Sequence, residues 1–357
     1  MNKQKLRLFE NIDFYRLLEE SGTVEGATGW NKTDPFPGHD LDNLKDSWPV
    51  NYEKSHSYGE YIFDWSWAQA YHKYGLNYYP KLTSMVPFTP VTAPHFIMPE
   101  WSDQKAYKML QEQDLYYQSG PFSSGHYLFL EQREIDLFKE CEYQIRHSIQ
   151  YHFKNEGYES FNHYLSKLKS RKAKAIRNER KHDGLTIKQY HGDQLTQKHA
   201  KQMHQFYLST IRKKNAIPYL NLSFFEKAFN QLKENILYIE VEDEFNASIA
   251  GSFFLYDEQR LYGRYWGCLR DIPNLHYEVC YYQGIEFCIE NNIEIFEAGA
   301  QGEHKIARGF LPQTIYSAHK IKNKSFSQAI KNFIQEEKAH MGHIQKELIT
   351  YSPFKSL

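Results

Sequence analysis

RLYGRYWGCLRDIPNLHYEVCYYQGIEFCIENNIEIFEAGAQGEHKIARGF, residues 260–310, is the stretch on which the architecture turns. Its opening, Arg260 to Trp266, is rich in aromatic residues that suit a pleated surface and reads as a strand. Tyr281, Tyr282, Ile285, Cys288 and Ile289 then recur at helical spacing and give one apolar helix face. Ile293 to Glu297 reads as a second strand, and a polar, glycine-containing loop comes next.

Outward from this stretch the pattern holds. Ile236 to Glu242 and Ser248 to Tyr256 join Arg260 to Trp266 as three strands with turn-like separators, which predicts an antiparallel meander. Before them, Leu185 to Tyr190 alternates like a strand. Leu195, His199, Met203, Phe206 and Tyr207 mark a helix, and Leu222 to Lys233 another. After the loop come a strand, Thr314 to Ile321, and a long closing helix marked by Phe326, Ile330, Phe333, Ile334, Met341, Ile344 and Leu348. This order predicts an α/β chain with α+β mixed sheets covered by helices.

The first half repeats part of the plan. Tyr58-Gly59-Glu60-Tyr61 is expected to begin a strand, Ser66 to Tyr74 a helix and Tyr79 to Phe88 a second strand, echoing Tyr262-Gly263-Arg264-Tyr265, the helix after it and Ile293 to Glu297. Ser102 to Gln118 reads as a helix, with Gly125 to Glu131 and Glu142 to Phe153 as strands. The boundary is placed near Asn155-Glu156-Gly157, giving domains 1–155 and 156–357; before Lys54 no element is assigned.

Composition excludes several functions. Lys and Arg total 43 against 44 Asp and Glu, so a polyanion site must be local. No apolar run approaches the roughly 20 residues that cross a bilayer, and the first residues lack a signal-peptide core, so a cytosolic protein without membrane insertion is expected. Cys141, Cys268, Cys280 and Cys288 form no CxxC pair, and His340 and His343, at i, i+3 on the last helix, are by themselves too few ligands, so no metal site is read. HExxH, Walker, GxSxG and dinucleotide motifs are missing, which removes support for protease, NTPase, hydrolase and dehydrogenase readings.

The loop after Glu297 carries the densest chemistry. Glu303, His304, Lys305 and Arg308 bring a base, a proton shuttle and two cations into one segment beyond a strand's carboxyl end, where α/β sheets place ligands. Acyl transfer to an amine needs a proton acceptor and donors for a carbonyl oxygen that becomes negative, and these four are the catalytic candidates. Surface ion pairing is the alternative for the same charges. Arg264, Trp266, His276, Glu278, Glu297 and Gln301 flank the loop as substrate-binding candidates. In the first half, His56, Tyr58, Glu60, Asp64 and Lys81 set polar groups amid aromatic bulk and are expected to line a crevice with it. The segment 167–181 reads as one cationic helix, whose Arg171, Lys172, Lys174 and Arg177 would attract phosphate or RNA.

Several runs in fixed order, KSHSYGEYIFDW from Lys54, YYPKL from Tyr78, VPFTPVT from Val86, SRKAKAIRNER from Ser170, YGRYWG from Tyr262, HYEVCYYQGIEF from His276 and EAGAQGEHKIARGFLP with YSAH, resemble the FemAB-like, or peptidoglycan biosynthesis/recognition, family of predicted N-acyltransferases in the GNAT superfamily. The resemblance implies two tandem GNAT-like domains. It implies transfer of an acyl or aminoacyl group to an amine of a small molecule, peptide or cell-wall precursor. The donor would be a co-substrate, aminoacyl-tRNA or acyl-CoA, with no tightly bound cofactor and with transfer RNA as a further partner. GNAT enzymes bind acetyl-CoA on a glycine-rich loop, whereas GCLRDIPNLHYE here has one glycine, which favours an aminoacyl donor. A non-catalytic module that recognises a peptidoglycan precursor or peptide is the other expectation.

Overall fold

The computed structural model describes residues 8–11, 14–15, 17–18, 30–32, 48–98, 100–299 and 302–355. The chain divides into two compact units, Met1–Ile149 with Thr314–Gln345, and Gln150–Gln313 with Lys346–Leu357.

Unit 1 contains strands β1 (Trp30–Lys32), β2 (Trp48–Pro49) and β3 (Tyr52–Lys54), helix α1 (Trp65–Lys73), then β4 (Lys81–Ser84) and β5 (Phe96–Ile97). Helix α2 (Asp103–Ser119) leads to β6 (Ser124–Leu130), and α3 (Ile135–Glu140) comes after it. The Ser102 hydroxyl accepts from the Lys105 amide and caps α2, taking up one of the donors a helix start leaves open. β1, β3 and β4 pair antiparallel, whereas β4 and β6 pair parallel through Leu82↔Gly125, Thr83↔His126 and Ser84↔Tyr127, with α2 as the crossover. β2 and β5 form a separate small ladder. The α2-side core gathers Ala106, Leu110, Tyr127, Leu130, Phe138 and Ala318.

β7 (Gln144–Lys154) carries the chain into unit 2. There α4 (Phe161–Lys167) and α5 (Ser170–Glu179) precede β8 (Thr186–His191), α6 (Gln197–Lys213), α7 (Leu222–Gln231), β9 (Ile236–Glu242), β10 (Ser248–Tyr256) and β11 (Arg260–Cys268). Helix α8 (Leu275–Tyr277) continues through a π turn (Glu278–Tyr282) into α9 (Gln283–Glu290) and β12 (Ile295–Glu297). β8 to β11 pair antiparallel in chain order, as the meander requires. β11 and β12 are parallel, and β12 pairs antiparallel with the end of β7. Gly267 allows α6 to lie directly on β11, since a Cβ there would collide with the Phe206 carbonyl.

A 3₁₀ turn (Glu303–Arg308) leads to β13 (Leu311–Ile321) and α10 (Lys324–Thr350). Most of both belongs to unit 1. This corrects the expected division at residue 155, because Ile330 and Ile334 of α10 pack on Trp67, Tyr71 and Tyr78, and Arg146 pairs with Glu337 at 2.6 Å.

Two further expectations change. Tyr58 to Tyr61 form no strand: Gly59 and Tyr61 have φ of 80° and 60°, and the segment turns to carry Glu60 inward. The crossover that corresponds to β11, α8–α9 and β12 is therefore β4, α2 and β6, one element later than the sequence echo suggested. The cationic segment is also two helices, broken at Leu168, which bridges to Phe354.

Candidate functional site

β11 and β12 pair only from Arg260↔Ile295 to Tyr262↔Glu297, after which β11 runs on to Cys268 without β12. Parallel strands that part in this way open the sheet where its carboxyl ends collect ligands. A β-bulge adds to the opening. Phe253 faces Tyr265 and Phe254 faces Gly263, so Arg264 is the extra residue and its side chain is re-aimed.

The result is a cavity of about 110 Å³ formed by unit 2. Gly263, Arg264 and Trp266 line one side and Ala298 and Gly299 the other, with Ser252, His276, Cys280 and Tyr281 closing it. His276 lies tilted at 4.6 Å from Trp266 and edge-on at 5.2 Å from Tyr281 between ring centroids. The π turn sets these residues. Such a turn frees a carbonyl from the helical ladder, and here the Ser252 hydroxyl donates to that of Val279 at 2.8 Å.

Burial and local cations set the electrostatics. Burial, reinforced by His304, Lys305 and Arg308, pushes the His276 imidazole down to about 4, so it is neutral at physiological pH. Burial lowers the Lys305 ammonium to about 8, and its Nζ donates to the Gly299 carbonyl at 3.0 Å. The Cys280 thiol is pushed up by burial and stays protonated. No Asp or Glu is among the described residues of the cavity wall.

The loop residues separate by role. Arg308 spends its guanidinium on Glu179, at 3.1 and 2.9 Å, and on the His304 carbonyl at 2.7 Å, and lies 3.5 Å over Tyr277. His304 meets the Tyr281 hydroxyl at 3.0 Å. Glu303 is exposed and outside the cavity wall. Glu278 is buried and accepts from Arg180 and Gln283, and Glu297 is buried beside Arg260, so both acids serve ion pairs rather than the cavity. Gln301 lies outside the described residues. On α5, Arg171, Lys174 and Arg177 are exposed and Lys172 half-buried.

The first-half candidates gather elsewhere, in a buried polar layer of unit 1. Lys81 Nζ donates to Glu60 at 2.7 Å, to Ser57 at 2.8 Å and to Asp64. The Tyr78 hydroxyl donates to Asp64 at 2.6 Å, and the His126 Nε2 lies 3.2 Å from that hydroxyl and 2.7 Å from the Ser124 hydroxyl. His126 Nδ1 shares a hydrogen bond with His319 Nδ1 at 2.7 Å, and His319 Nε2 meets the Ser317 hydroxyl at 2.7 Å. Burial holds both imidazoles neutral, His126 down to about 3. Burial also raises Glu60 to about 7, against the pull of Lys81, and lowers Lys54 to about 7. For Asp64, burial opposes ionisation but Lys81 overcomes it and holds the carboxyl well below its usual range. His56 is half-buried, and Tyr58 is 66% exposed, outside the layer.

Sequence reading missed Ser252, Cys280 and Tyr281 of the cavity, Glu179 behind it, and His126 and His319 of the layer. A signal existed for the last two. Ser124-Gly-His126 and Ser317-Ala-His319 each set two polar groups on one face of a strand with a period of two.

Among the described residues, no helix is long and apolar enough to cross a membrane, and no group of three or more His, Cys, Asp or Glu is placed to hold a metal ion. No curated protein sequence matches the chain. Among solved structures, L-PGS from Bacillus licheniformis is similar over 93% of this chain and 99% of its own, at 10% identity and a TM-score of 0.51, which is a likeness of fold. FemX is similar over 83% of this chain and 95% of its own, at 10% identity and a TM-score of 0.47. The profile of one family spans residues 2–356, and the chain therefore belongs to the FemAB-like family of peptidoglycan biosynthesis/recognition proteins.

Proposed function

We propose that the unit 2 cavity is an N-acyltransferase site that moves an acyl or aminoacyl group to an amine of a small molecule, peptide or cell-wall precursor. The observation that carries this reading is the parting of β11 from β12 around a cavity walled by Arg264, Trp266 and a neutral His276. The amine nitrogen forms a bond to the acyl carbon, and the bond from that carbon to the donor's oxygen or sulfur breaks. His276 accepts the proton released by the amine and returns it to the leaving group. Arg264, re-aimed by the bulge, is the cation that meets the carbonyl oxygen as it becomes negative. Lys305 stands behind the wall at Gly299 rather than in the cavity.

Glu303 and Arg308 leave the catalytic set, one for its exposure and the other for its ion pair with Glu179. The donor is a co-substrate. Aminoacyl-tRNA is favoured over acyl-CoA by the run GCLRDIPNLHYE, whose one glycine, Gly267, lies within β11, and by the exposed cations of α5. Two GNAT-like domains in tandem and a cytoplasmic location complete the proposal.

The test mixes the protein with acetyl-CoA or with charged total tRNA, together with lysine-containing peptides and peptidoglycan precursors, and monitors acceptor masses. A mass gain that His276→Ala and Arg264→Gln abolish is expected. Unchanged masses with every donor would replace the transferase by a recognition module.

A further inference from the structure

Glu179, the last residue of α5, is bound by the π turn, which walls the candidate site, and by the 3₁₀ turn behind that wall. Its carboxylate accepts from Arg308 Nε and Nη2 and from the hydroxyl of Tyr282, the last residue of the π turn. The remaining nitrogen of Arg308 donates to the His304 carbonyl, which ties the two ends of the 3₁₀ turn together. That turn in its own right holds the cavity wall, because Lys305 bonds the Gly299 carbonyl and His304 bonds Tyr281. One carboxylate thus fixes both the turn and the π segment. A bidentate arginine–carboxylate pair suits this role, since its planar geometry specifies orientation as well as distance. Arg308 is 6% exposed and Lys305 2%, so neither ordering depends on a flexible surface pair.

Resting on the acyl-transfer reading of this cavity, we propose that Glu179 is a positioning residue: through Arg308 it keeps Lys305 packed behind the Gly299 wall, out of water. Facing Lys305 are Cys280 and His276 from the helix side, His152 from β7, and His304 on its own turn. None of these is a carboxylate. Water is therefore the main agent that could restore the amine's ordinary basicity, and the Arg308 clamp excludes it.

The pH dependence of Lys305 labelling tests this without any donor or turnover. Reductive methylation from pH 6 to 11, read peptide by peptide by mass spectrometry, should give a midpoint near the value of about 8 expected for the buried amine. In Glu179→Ala the midpoint should rise by about one unit or more as water reaches Lys305. Loss of a negative charge alone acts with the opposite sign, since it disfavours a neighbouring ammonium. Glu179→Gln, which keeps an acceptor oxygen, should shift less. Arg308→Lys keeps the charge but cannot bridge Glu179 and the His304 carbonyl together, and it should reproduce the rise if Glu179→Ala does not fold. A midpoint that stays or falls in either Glu179→Ala or Arg308→Lys overturns the proposal. A raised midpoint in a protein that transfers no acyl group upholds the positioning role and removes the acyl-transfer reading, while transfer with an unmoved midpoint does the reverse.

Discussion

Both units join two parallel strands through a helical crossover, and in both the parallel pairing is three residues long, yet they treat the ground beyond it in opposite ways. In unit 1 the chain after β4 fills that ground. Met85, Val86, Phe88 and Val91 are buried there, the Ala93 amide donates to the Phe129 carbonyl, and His95 donates to that of Leu128. His95 is itself held by Glu134, whose carboxylate overcomes the cost of burial and raises the imidazole's pKa. In unit 2 the ground beyond Tyr262 and Glu297 is left as a cavity, and the bulge brings Arg264 to it. The same local topology therefore yields a sealed core in one unit and a candidate site in the other. What decides is the loop: apolar and short-range in unit 1, charged and glycine-containing in unit 2.

The contrast can be broken from either side, and the largest effect is expected in the sealed unit. Lys81→Met removes the cation that neutralises Glu60 and Asp64 within the buried layer. Loss of one partner of a buried ion pair costs about 3–5 kcal/mol, because the other charge stays unpaired. Urea denaturation should show that loss, and a change below about 1 kcal/mol would mean that water reaches the layer.

In the open unit, His276→Ala should lower transfer at saturating donor by about 100-fold or more, the range of general acid–base assistance, with little change in stability. An unaltered rate would remove the imidazole from the chemistry. The Cβ a side chain would add at Gly284 falls against the ring of Phe296, with its nearest ring atom at 2.5 Å, so Gly284→Ala should destabilise unit 2 by about 1–3 kcal/mol and lower the thermal midpoint.

Acid distinguishes the layer from the cavity on a finer scale. Asp64 titrates lower in the folded protein than in the unfolded one, so its contribution to stability is complete above the ordinary aspartate range and is lost as pH falls through and below it. Wild type should therefore lose more stability between pH 5 and 3 than Asp64→Asn does. Parallel curves would place the acid sensitivity elsewhere. The smallest effect belongs to Tyr58→Ala, which should leave stability within about 0.5 kcal/mol, as its ring lies on the surface.

The sequence by itself determined the meander, the crossover helix and the glycine-containing loop of the second half, because alternation and helical spacing are local properties that each strand and helix carries in its own residues. It also placed Arg264, Trp266 and His276 around one site. Only the tertiary structure decided which charges face a cavity. Glu278, Glu297 and Arg308 look like chemistry when read along the chain, but Arg180, Arg260 and Glu179 claim them, and such pairing joins residues up to 129 positions apart. Only the tertiary structure, too, returned most of β13 and α10 to the first unit, since the partner of an apolar helix face is not written in its spacing. Periodicity reports which face of an element is buried; against what it is buried is settled by packing between segments distant in the chain.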